Sequence, residues 1–328
     1  MALKDPEIES LVAQHWRELA RFEKTATFVA EEISRRARGE ALRHLLSFRA
    51  KHPDDLRGKL ARKRDDERYA FANLQRDLCA VVTDLAGCRL VVYNPRDEDR
   101  MATLVREAFP LVDGPRSFEV KREGNGYHAT HVLVRVPLTA EPSIRGTICE
   151  VQVCPLASHL FNELEHDISY KQPSGAPSAN EQAHLKEIVS AVHLANVAAA
   201  RLMDAHALRI TRSTQLIGTA GELKHVLEQK AGRVLRGDFA RLLGLLLPTV
   251  EKLTPGAVDV LLGSLQTTME RGRQIARESG TQPDVDDVVA VVLGLADEFG
   301  QEFAAIAKTW KGPSTALKNA ILRFVESR

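Results

Sequence analysis

The chain has 328 residues, a length that allows a large buried core and predicts two domains. Its 45 Lys and Arg residues balance 44 Asp and Glu residues, so the overall charge indicates neither a nucleic-acid partner nor a membrane partner. The N-terminus has no signal-peptide core, and no segment approaches the ~20 apolar residues of a membrane span. We therefore expect a soluble, cytoplasmic protein that binds no membrane.

The first part of the chain is predicted to be helical. Apolar residues recur at helical spacing over residues 5–38, and Gly39 ends the pattern. Residues 40–48 are predicted to form a further short helix or turn, and Pro53 with two following acidic residues opens the next helix. That helix carries a basic cluster at 57–64, which suits either a solvated helix face or a strip of cations for a triphosphate.

A carboxylate is predicted at the entry to a core strand. Residues 90–93 are an apolar, β-branched run without helical periodicity, which is typical of a buried strand. Asp84 lies just before this strand and Arg89 near its first residues. A carboxylate in that position is costly unless it is paired or bound to a metal. A plain helix-to-strand turn is the alternative, because Asp is common in turns.

A second carboxylate has a similar setting. Residues 146–154 alternate with period two, so Glu150 and Gln152 share one face of a predicted strand. If this strand neighbours the first, Asp84 and Glu150 can converge on one cation. Oxygen ligands with open positions are how Mg²⁺ is held beside nucleotide phosphates. We therefore take these two residues as the best catalytic candidates.

Between the two strands lie a predicted helix at 97–109 and strands at 117–122 and 130–136. The Gly-Asn-Gly sequence at 124–126 predicts a hairpin loop between the latter two. Alternatively, the glycines let the backbone approach a ligand, with Tyr127 available to stack on a base.

A helix is predicted at 156–170, followed by a flexible loop at 172–178. His159, Glu163 and His166 share one face of this helix. Three ligands on one helix cannot close a tetrahedral metal shell, so we expect a polar stripe that faces the sheet and supports the site. From residue 180 onward the pattern is helical. The cysteines are predicted to be free thiols, without zinc or disulfides, at Cys79, Cys88, Cys149 and Cys154.

Four motifs stand in order within residues 40–172. They are Asp-Leu-Ala-Gly-Cys-Arg at 84–89, Asn-Gly-Tyr through His at 125–131, Glu-Val-Gln-Val at 150–153, and Glu-Leu-Glu-His-Asp with Tyr-Lys at 163–171. Together they resemble the signatures of the RelA/SpoT synthetase family, which makes the alarmone (p)ppGpp.

The resemblance implies transfer of pyrophosphate from ATP to the 3′-hydroxyl of GDP or GTP. It implies an α+β fold over 1–212, a nucleotidyltransferase-like mixed sheet flanked by helices, and leaves 213–328 as a helical region of unknown role. Asp84 and Glu150 would hold Mg²⁺, and Glu150 would also take the proton from the attacking hydroxyl. The ATP-binding residues implied are Arg49, Lys51, Lys59, Arg62 and Arg89. The acceptor-binding residues implied are Asn125, Tyr127, His131 and Lys171, with Gln152, His159, Glu163 and His166 in support.

The chain departs from the family pattern at Ala129, Cys154 and Pro155, which leaves the acceptor open. One alternative is a toxic relative that acts on the tRNA 3′ end or on adenine nucleotides. Another is a non-catalytic nucleotide-binding or assembly protein, whose C-terminal helices mediate homo-oligomerisation or bind a regulatory partner. The N-terminal segment has no second set of metal ligands, so we expect synthesis without hydrolysis.

Overall fold

A computed structural model describes residues 2–114, 117–122, 126–169, 177–211, 215–248, 250–278, 285–296 and 299–301. The chain divides into two compact units, which are described separately. The first, the sheet unit, comprises residues 1–37 and 43–201, and the second, the helical unit, comprises 38–42 and 202–328. The domain boundary that we placed after residue 212 stays a prediction.

The sheet unit is built on a five-stranded mixed sheet with the strand order β1-β2-β5-β4-β3. The strands are β1 (His44–Ala50), β2 (Ala86–Val92), β3 (Phe118–Arg122), β4 (His128–Arg135) and β5 (Ile148–Pro155). The central neighbours β2 and β5 run parallel, and all other pairs are antiparallel. The predicted α+β architecture is confirmed, and the two strands that carry the candidate carboxylates are adjacent.

Helices cover both faces of this sheet. They are α1 (Asp5–Gly39), α2 (Pro53–Arg62), α3 (Phe71–Arg76), α4 (Leu78–Val81), α5 (Glu98–Ala108), α6 (Leu156–Ser169) and α7 (Ala179–Thr211). On the face of α5, the buried side chains include Leu90 and Val151, while the opposite face presents Arg89, Glu150 and Gln152. The period-two alternation predicted for β5 is thus confirmed and leaves one polar face.

Residues 40–48 are an exception to the sequence prediction. We expected a short helix or turn, whereas residues 44–50 form β1 at the edge of the sheet. Leu45 and Phe48 stay 46% and 47% exposed, so the segment lacks the one-sided burial that marks a strand in the sequence. Its conformation is set by pairing with β2, which the local pattern does not encode.

Helix α7 also corrects an expectation. It contains an 18-residue window of mean hydropathy 1.2, none of it buried, and is long and apolar enough by length and composition to cross a membrane. The statement that no segment approaches such a span was therefore wrong. The exposed leucines Leu194, Leu202 and Leu208 lie on this helix.

The helical unit contains α8 (Ala220–Ala231), α9 (Phe239–Leu246), α10 (Pro255–Leu262), α11 (Leu265–Glu278) and α12 (Asp287–Ala296). Side chains of Thr219, Asp238 and Thr254 cap the N-termini of α8, α9 and α10. An apolar core runs through all five helices. The helical character predicted for this region is confirmed over its described residues.

Candidate active site

A cleft of about 270 Å³ opens on the polar face of the sheet, where β2 and β5 run side by side. The register pairs Gly87 with Glu150 and Arg89 with Gln152. Asp84, in the turn that leads into β2, lines the same cleft as Glu150. The two carboxylates that sequence analysis singled out are therefore brought together, on one side of one sheet.

Asp84 is held by two lysines. Lys51 Nζ donates to Oδ2 and Lys59 Nζ to Oδ1, each at 2.8 Å. Burial alone would raise the pKa of Asp84, but the two ammonium groups outweigh it and lower the pKa to about 2. The Asp84 side chain is thus ionised at neutral pH and balanced by two cations.

Local structure explains why these lysines reach Asp84. Lys51 directly follows β1, and its backbone N–H donates to the carbonyl of Leu85 at 2.8 Å, which ties it to the entry of β2. Pro53 then starts α2, and Lys59 lies in its last turn. The Lys51 side chain is only 9% exposed, so it requires a buried anion as partner.

Glu150 lies between two polar neighbours. Gln152 Nε2 donates to Glu150 Oε1 at 2.8 Å, and His131 Nδ1 lies 3.3 Å from the same oxygen. Burial raises the pKa of Glu150 and the nearby Asp84 charge adds to this, but His131 and Gln152 outweigh both, so the pKa falls below its usual value. Glu150 is therefore also an ionised carboxylate.

Tyr127 is connected to this carboxylate through His131. The Tyr127 hydroxyl is 3.0 Å from His131 Nε2, so a buried histidine lies between the tyrosine and Glu150. The tyrosine ring packs on an apolar floor of Val91, Ala129 and Cys154. The two departures from the family pattern at Ala129 and Cys154 thus lie together beneath Tyr127.

The residue before Tyr127 must be glycine. Gly126 has φ of 101°, a region that residues with a side chain rarely adopt. A Cβ atom there would also overlap the side chain of Val189 on α7. The close backbone approach predicted at this loop is therefore an approach to α7, a helix of the same unit. It fixes the position of Tyr127, which directly precedes β4.

Arg89 connects the sheet to α6. Its Nε donates to Gln152 Oε1 at 3.2 Å, its Nη1 lies 3.3 Å from His159 Nδ1, and Nη1 also contacts the Glu163 carboxylate. Burial raises the pKa of Glu163, but Arg89 outweighs it and the pKa is lowered. The polar stripe of α6 therefore faces the sheet and orders Arg89 and Gln152 beside Glu150.

The other sequence candidates are distributed unevenly. Arg49 and His166 line the cleft, and Arg49 lies 3.7 Å from Asp55. Arg62 is exposed on α2 and is not among the residues that line the cleft. Asn125 and Lys171 lie outside the described residues.

Part of the basic cluster at 57–64 has a structural role. Arg57 pairs with Glu9 at 2.7 Å and also contacts Asp54, while Arg64 pairs with Asp5 at 2.8 Å. These contacts join α1 to the segment around α2. Of this cluster, Lys59 is the cation that reaches the candidate carboxylate Asp84 in the described residues.

Sequence analysis missed a second buried polar group. Glu98, in the first turn of α5, accepts a hydrogen bond from Thr130 Oγ1 at 2.8 Å and lies 2.9 Å from His128 Nε2. His128 and Thr130 alternate with His131 on β4, so they belong to the opposite face of the sheet. The two-residue spacing of His128 and Thr130 was the sequence signal that could have indicated this group.

Ser47 and Phe48 of β1 line the cleft as well and were missed because β1 was not recognised.

The donor set of the cleft suits a hard divalent cation. Both carboxyl groups have lowered pKa values and are ionised, and such oxygens are the ligands that Mg²⁺ prefers. Within the described residues no group of three or more His, Cys, Asp or Glu side chains could hold a metal alone. Substrate phosphates and water would therefore have to complete the shell, as is usual for Mg²⁺.

Part of the chain is similar to known proteins. A family model described as "Region found in RelA / SpoT proteins" matches residues 48–175. GTP pyrophosphokinase YjbM from Bacillus subtilis (strain 168) is 26% identical over 96 residues, which are 29% of this chain and 45% of that protein. The chain thus spans a little under half the length of this curated relative.

Two solved structures are also similar. A GTP pyrophosphokinase family protein from Streptococcus pneumoniae has a TM-score of 0.45 at 17% identity, covering 60% of this chain and 93% of its own. The small alarmone synthetase 1 from Bacillus subtilis has a TM-score of 0.43 at 17% identity, covering 58% and 95%.

Proposed function

Since the chain carries, over residues 48–175, the region found in RelA / SpoT proteins, we propose that it transfers the pyrophosphate group of ATP to the 3′-hydroxyl of GDP or GTP. The observation that carries the proposal is that Asp84 and Glu150 line the same cleft. Lys51 and Lys59 both donate hydrogen bonds to Asp84. Its relative from Bacillus subtilis is named a GTP pyrophosphokinase, which supports the same chemistry.

The lysine pair would serve the ATP phosphates. In the structure Lys51 and Lys59 neutralise Asp84, and their ammonium groups can instead pair with phosphate oxygens when a triphosphate enters the cleft. Phosphoryl-type transfer depends mainly on charge neutralisation and in-line positioning. Arg49, at the mouth of the same cleft, adds a third cation.

The divalent ion proposed here is Mg²⁺, and Asp84 and Glu150 are the residues that would hold it. When bound, it would neutralise charge on the transferred phosphates. The chain's own contribution is to keep both carboxyls ionised, through the lysines at Asp84 and through His131 and Gln152 at Glu150.

Glu150 would act as general base toward the acceptor hydroxyl. It lies beside His131 and, through it, Tyr127, whose ring we propose as the stacking surface for the acceptor base. The Tyr127 ring packs on the apolar floor that Ala129 and Cys154 help to form. Recognition of the acceptor would therefore depend on Tyr127 and His131 together.

The test is an acceptor assay. Purified protein with labelled ATP and Mg²⁺ is offered GDP, GTP, ADP or deacylated tRNA in parallel. We expect labelled GDP or GTP products from the wild type and a loss of at least about 10³-fold in Glu150→Gln. Glu23→Gln, which makes the same change at an exposed carboxylate of α1 that does not line the cleft, is the matched control and should keep its activity.

Labelling of ADP or tRNA alone would replace the guanine acceptor by one of the alternatives. An absence of labelling with all four acceptors would reject the enzymatic function and favour a binding or assembly protein.

We further propose a cytoplasmic location, where these nucleotides are available. The role proposed for residues 213–328 is assembly or regulation. A protein truncated after Arg212 should then differ from the full chain in particle mass or in control of activity.

A further inference from the structure

A second cavity of about 220 Å³ lies in the sheet unit and shares no lining residue with the cleft. It is enclosed by α1, by the segment of α3 and α4, and by the connection between β4 and β5. Nothing in the proposed reaction uses its side chains. It is therefore a separate candidate for ligand binding.

Guanidinium groups dominate the charge of this cavity. Arg21, Arg76 and Arg135 line it, against the two acids Glu18 and Asp77. Both acids are already engaged, since Glu18 pairs with Arg21 at 3.3 Å and Asp77 accepts the backbone N–H of Ala80 at 3.0 Å in capping α4. Three guanidinium groups against two carboxylates still leave the lining with a net positive charge.

The arginines keep unused donors. Arg21 Nε donates to Thr147 Oγ1 at 2.9 Å, and Arg135 Nη1 donates to the Gly146 carbonyl at 2.9 Å. Each guanidinium has five N–H donors in a planar fork, so most of them remain for planar or tetrahedral oxyanions. These two bonds also fix the guanidinium groups in place before a ligand arrives, which lowers the entropic cost of binding.

One wall of the cavity is hydrogen-bonded to the backbone of Lys51. His15 lines the cavity, is fully buried, and has Nε2 2.7 Å from the carbonyl oxygen of Lys51. Because a carbonyl oxygen only accepts, Nε2 carries the proton and donates. The His15 ring is also 5.2 Å from Phe22, another residue of the lining. A ligand that contacts His15 and Phe22 can therefore shift the backbone segment from which Lys51 reaches Asp84.

We propose that this cavity binds a small metabolite bearing an oxyanion, either a carboxylate or a phosphate, and that its occupancy adjusts the Lys51–Asp84 contact. The guanidinium groups of Arg21, Arg76 and Arg135 receive the oxyanion. The binding step stands independently of the proposed function, whereas the effect on catalysis rests on it. Inorganic phosphate, pyrophosphate and malonate serve as probes that separate the two kinds of oxyanion.

Cys79 offers a local measurement of binding. It lines the cavity and is half-buried, while Cys88, Cys149 and Cys154 are buried. Burial raises the pKa of the Cys79 thiol to about 11, so alkylation by N-ethylmaleimide is followed at alkaline pH by mass spectrometry. At ten times its Kd, an effective probe should slow alkylation about elevenfold by mass action. Unchanged alkylation with all three probes would overturn the proposal.

Variants locate the binding. Arg76 is exposed and its side chain makes no hydrogen bond or ion pair within the described residues, so Arg76→Ala should fold normally and raise the Kd of the probe at least about tenfold. Arg17→Ala is the matched control, since Arg17 is an exposed arginine of α1 that does not line this cavity. Equal effects of the two variants would overturn the proposal. Loss of protection in Lys59→Met would place the probe in the cleft and reject the cavity.

The regulatory step is measured as the initial rate of pyrophosphate transfer with and without the effective probe. A rate change in the wild type that disappears in Arg76→Ala supports regulation, and an unchanged rate rejects it. If the proposed function fails, no transfer occurs while protection of Cys79 persists. If only the inference fails, transfer occurs and Cys79 is unprotected, so the two failures are distinguishable.

Discussion

The two units bury charged side chains in different ways. In the sheet unit, Asp84 is 25% exposed and held by the flexible ends of Lys51 and Lys59 at the wall of a cleft. In the helical unit, Asp287 is 9% exposed and held by Arg233 and Arg273, each at 2.8 Å. One carboxylate is therefore presented to solvent and ligands, while the other connects elements of a packed helical core.

The type of cation that pairs with each carboxylate indicates whether the ion pair is structural or can exchange partners. Arg233 donates to both oxygens of Asp287, and the backbone N–H of Arg236 adds a further bond, which fixes the loop before α9 against α12. Burial raises the pKa of Asp287, but Arg233 outweighs this effect and the pKa is lowered. Lysine ammonium groups at Asp84 provide point charges without such a planar fork, so they can exchange partners more readily.

The first prediction from this comparison concerns the lysines of the sheet unit and is measured by activity. Lys59→Met removes one of the two cations at Asp84, and we expect transfer activity to fall at least about 10²-fold because phosphate charge is no longer neutralised. The measurement is kcat/KM for ATP. Lys63→Met, one residue beyond the end of α2, is the control and should keep its activity, because the lysines that act on Asp84 are Lys51 and Lys59. Equal losses would mean that Lys59 has no special role.

A second prediction concerns packing in the helical unit. Gly272 of α11 and Gly294 of α12 let the two helices approach closely, and a Cβ on Gly272 would overlap the carbonyl oxygen of Ala290. Gly272→Ala should therefore lower the free energy of unfolding by ~3 kcal/mol or more, measured by denaturant titration. Gly244→Ala is the control, because a Cβ there meets nothing within 4 Å. It should stabilise α9 by about 0.5–1 kcal/mol. Equal effects would refute close packing.

The smallest predicted effect is the pH dependence of the Asp84 pair. Since the folded pKa of about 2 lies below the ordinary aspartate value of 3.8, ionised Asp84 stabilises the fold above pH 3.8 and loses this contribution as the pH falls toward 2. The free energy of unfolding of the wild type should fall by about 2 kcal/mol more than that of Asp84→Asn across this range. Parallel urea titrations at several pH values measure it. Identical slopes would show that the lysines do not lower the pKa.

The sequence predicted the elements whose signal is local. The β-branched runs around Arg89 and Glu150 gave β2 and β5, and their polar face gave the candidate carboxylates. It did not give β1, because an edge strand with exposed Leu45 and Phe48 owes its conformation to pairing. For the same reason it could not show that Lys51 and Lys59 converge on Asp84.

Contacts between distant segments set the remaining parts of the site. His131 could be read only as a residue near Tyr127, and its position beside Glu150 depends on the register of β4 against β5. The Glu98 pair with His128 needs α5 to pack on β4, which no short-range pattern specifies. Sequence reasoning thus found the carboxylates but not the network that keeps them ionised.

The parallel pairing of β2 with β5 has a consequence for biosynthesis. These strands are separated in the chain by α5, β3 and β4, so a nascent polypeptide carries Asp84 and its two lysines well before Glu150 leaves the ribosome. Parallel pairing between distant strands also forms slowly compared with local contacts. The candidate site should therefore be completed in a single late step, when Ile148–Pro155 inserts between its neighbours, and translation products that end before Glu150 should lack it.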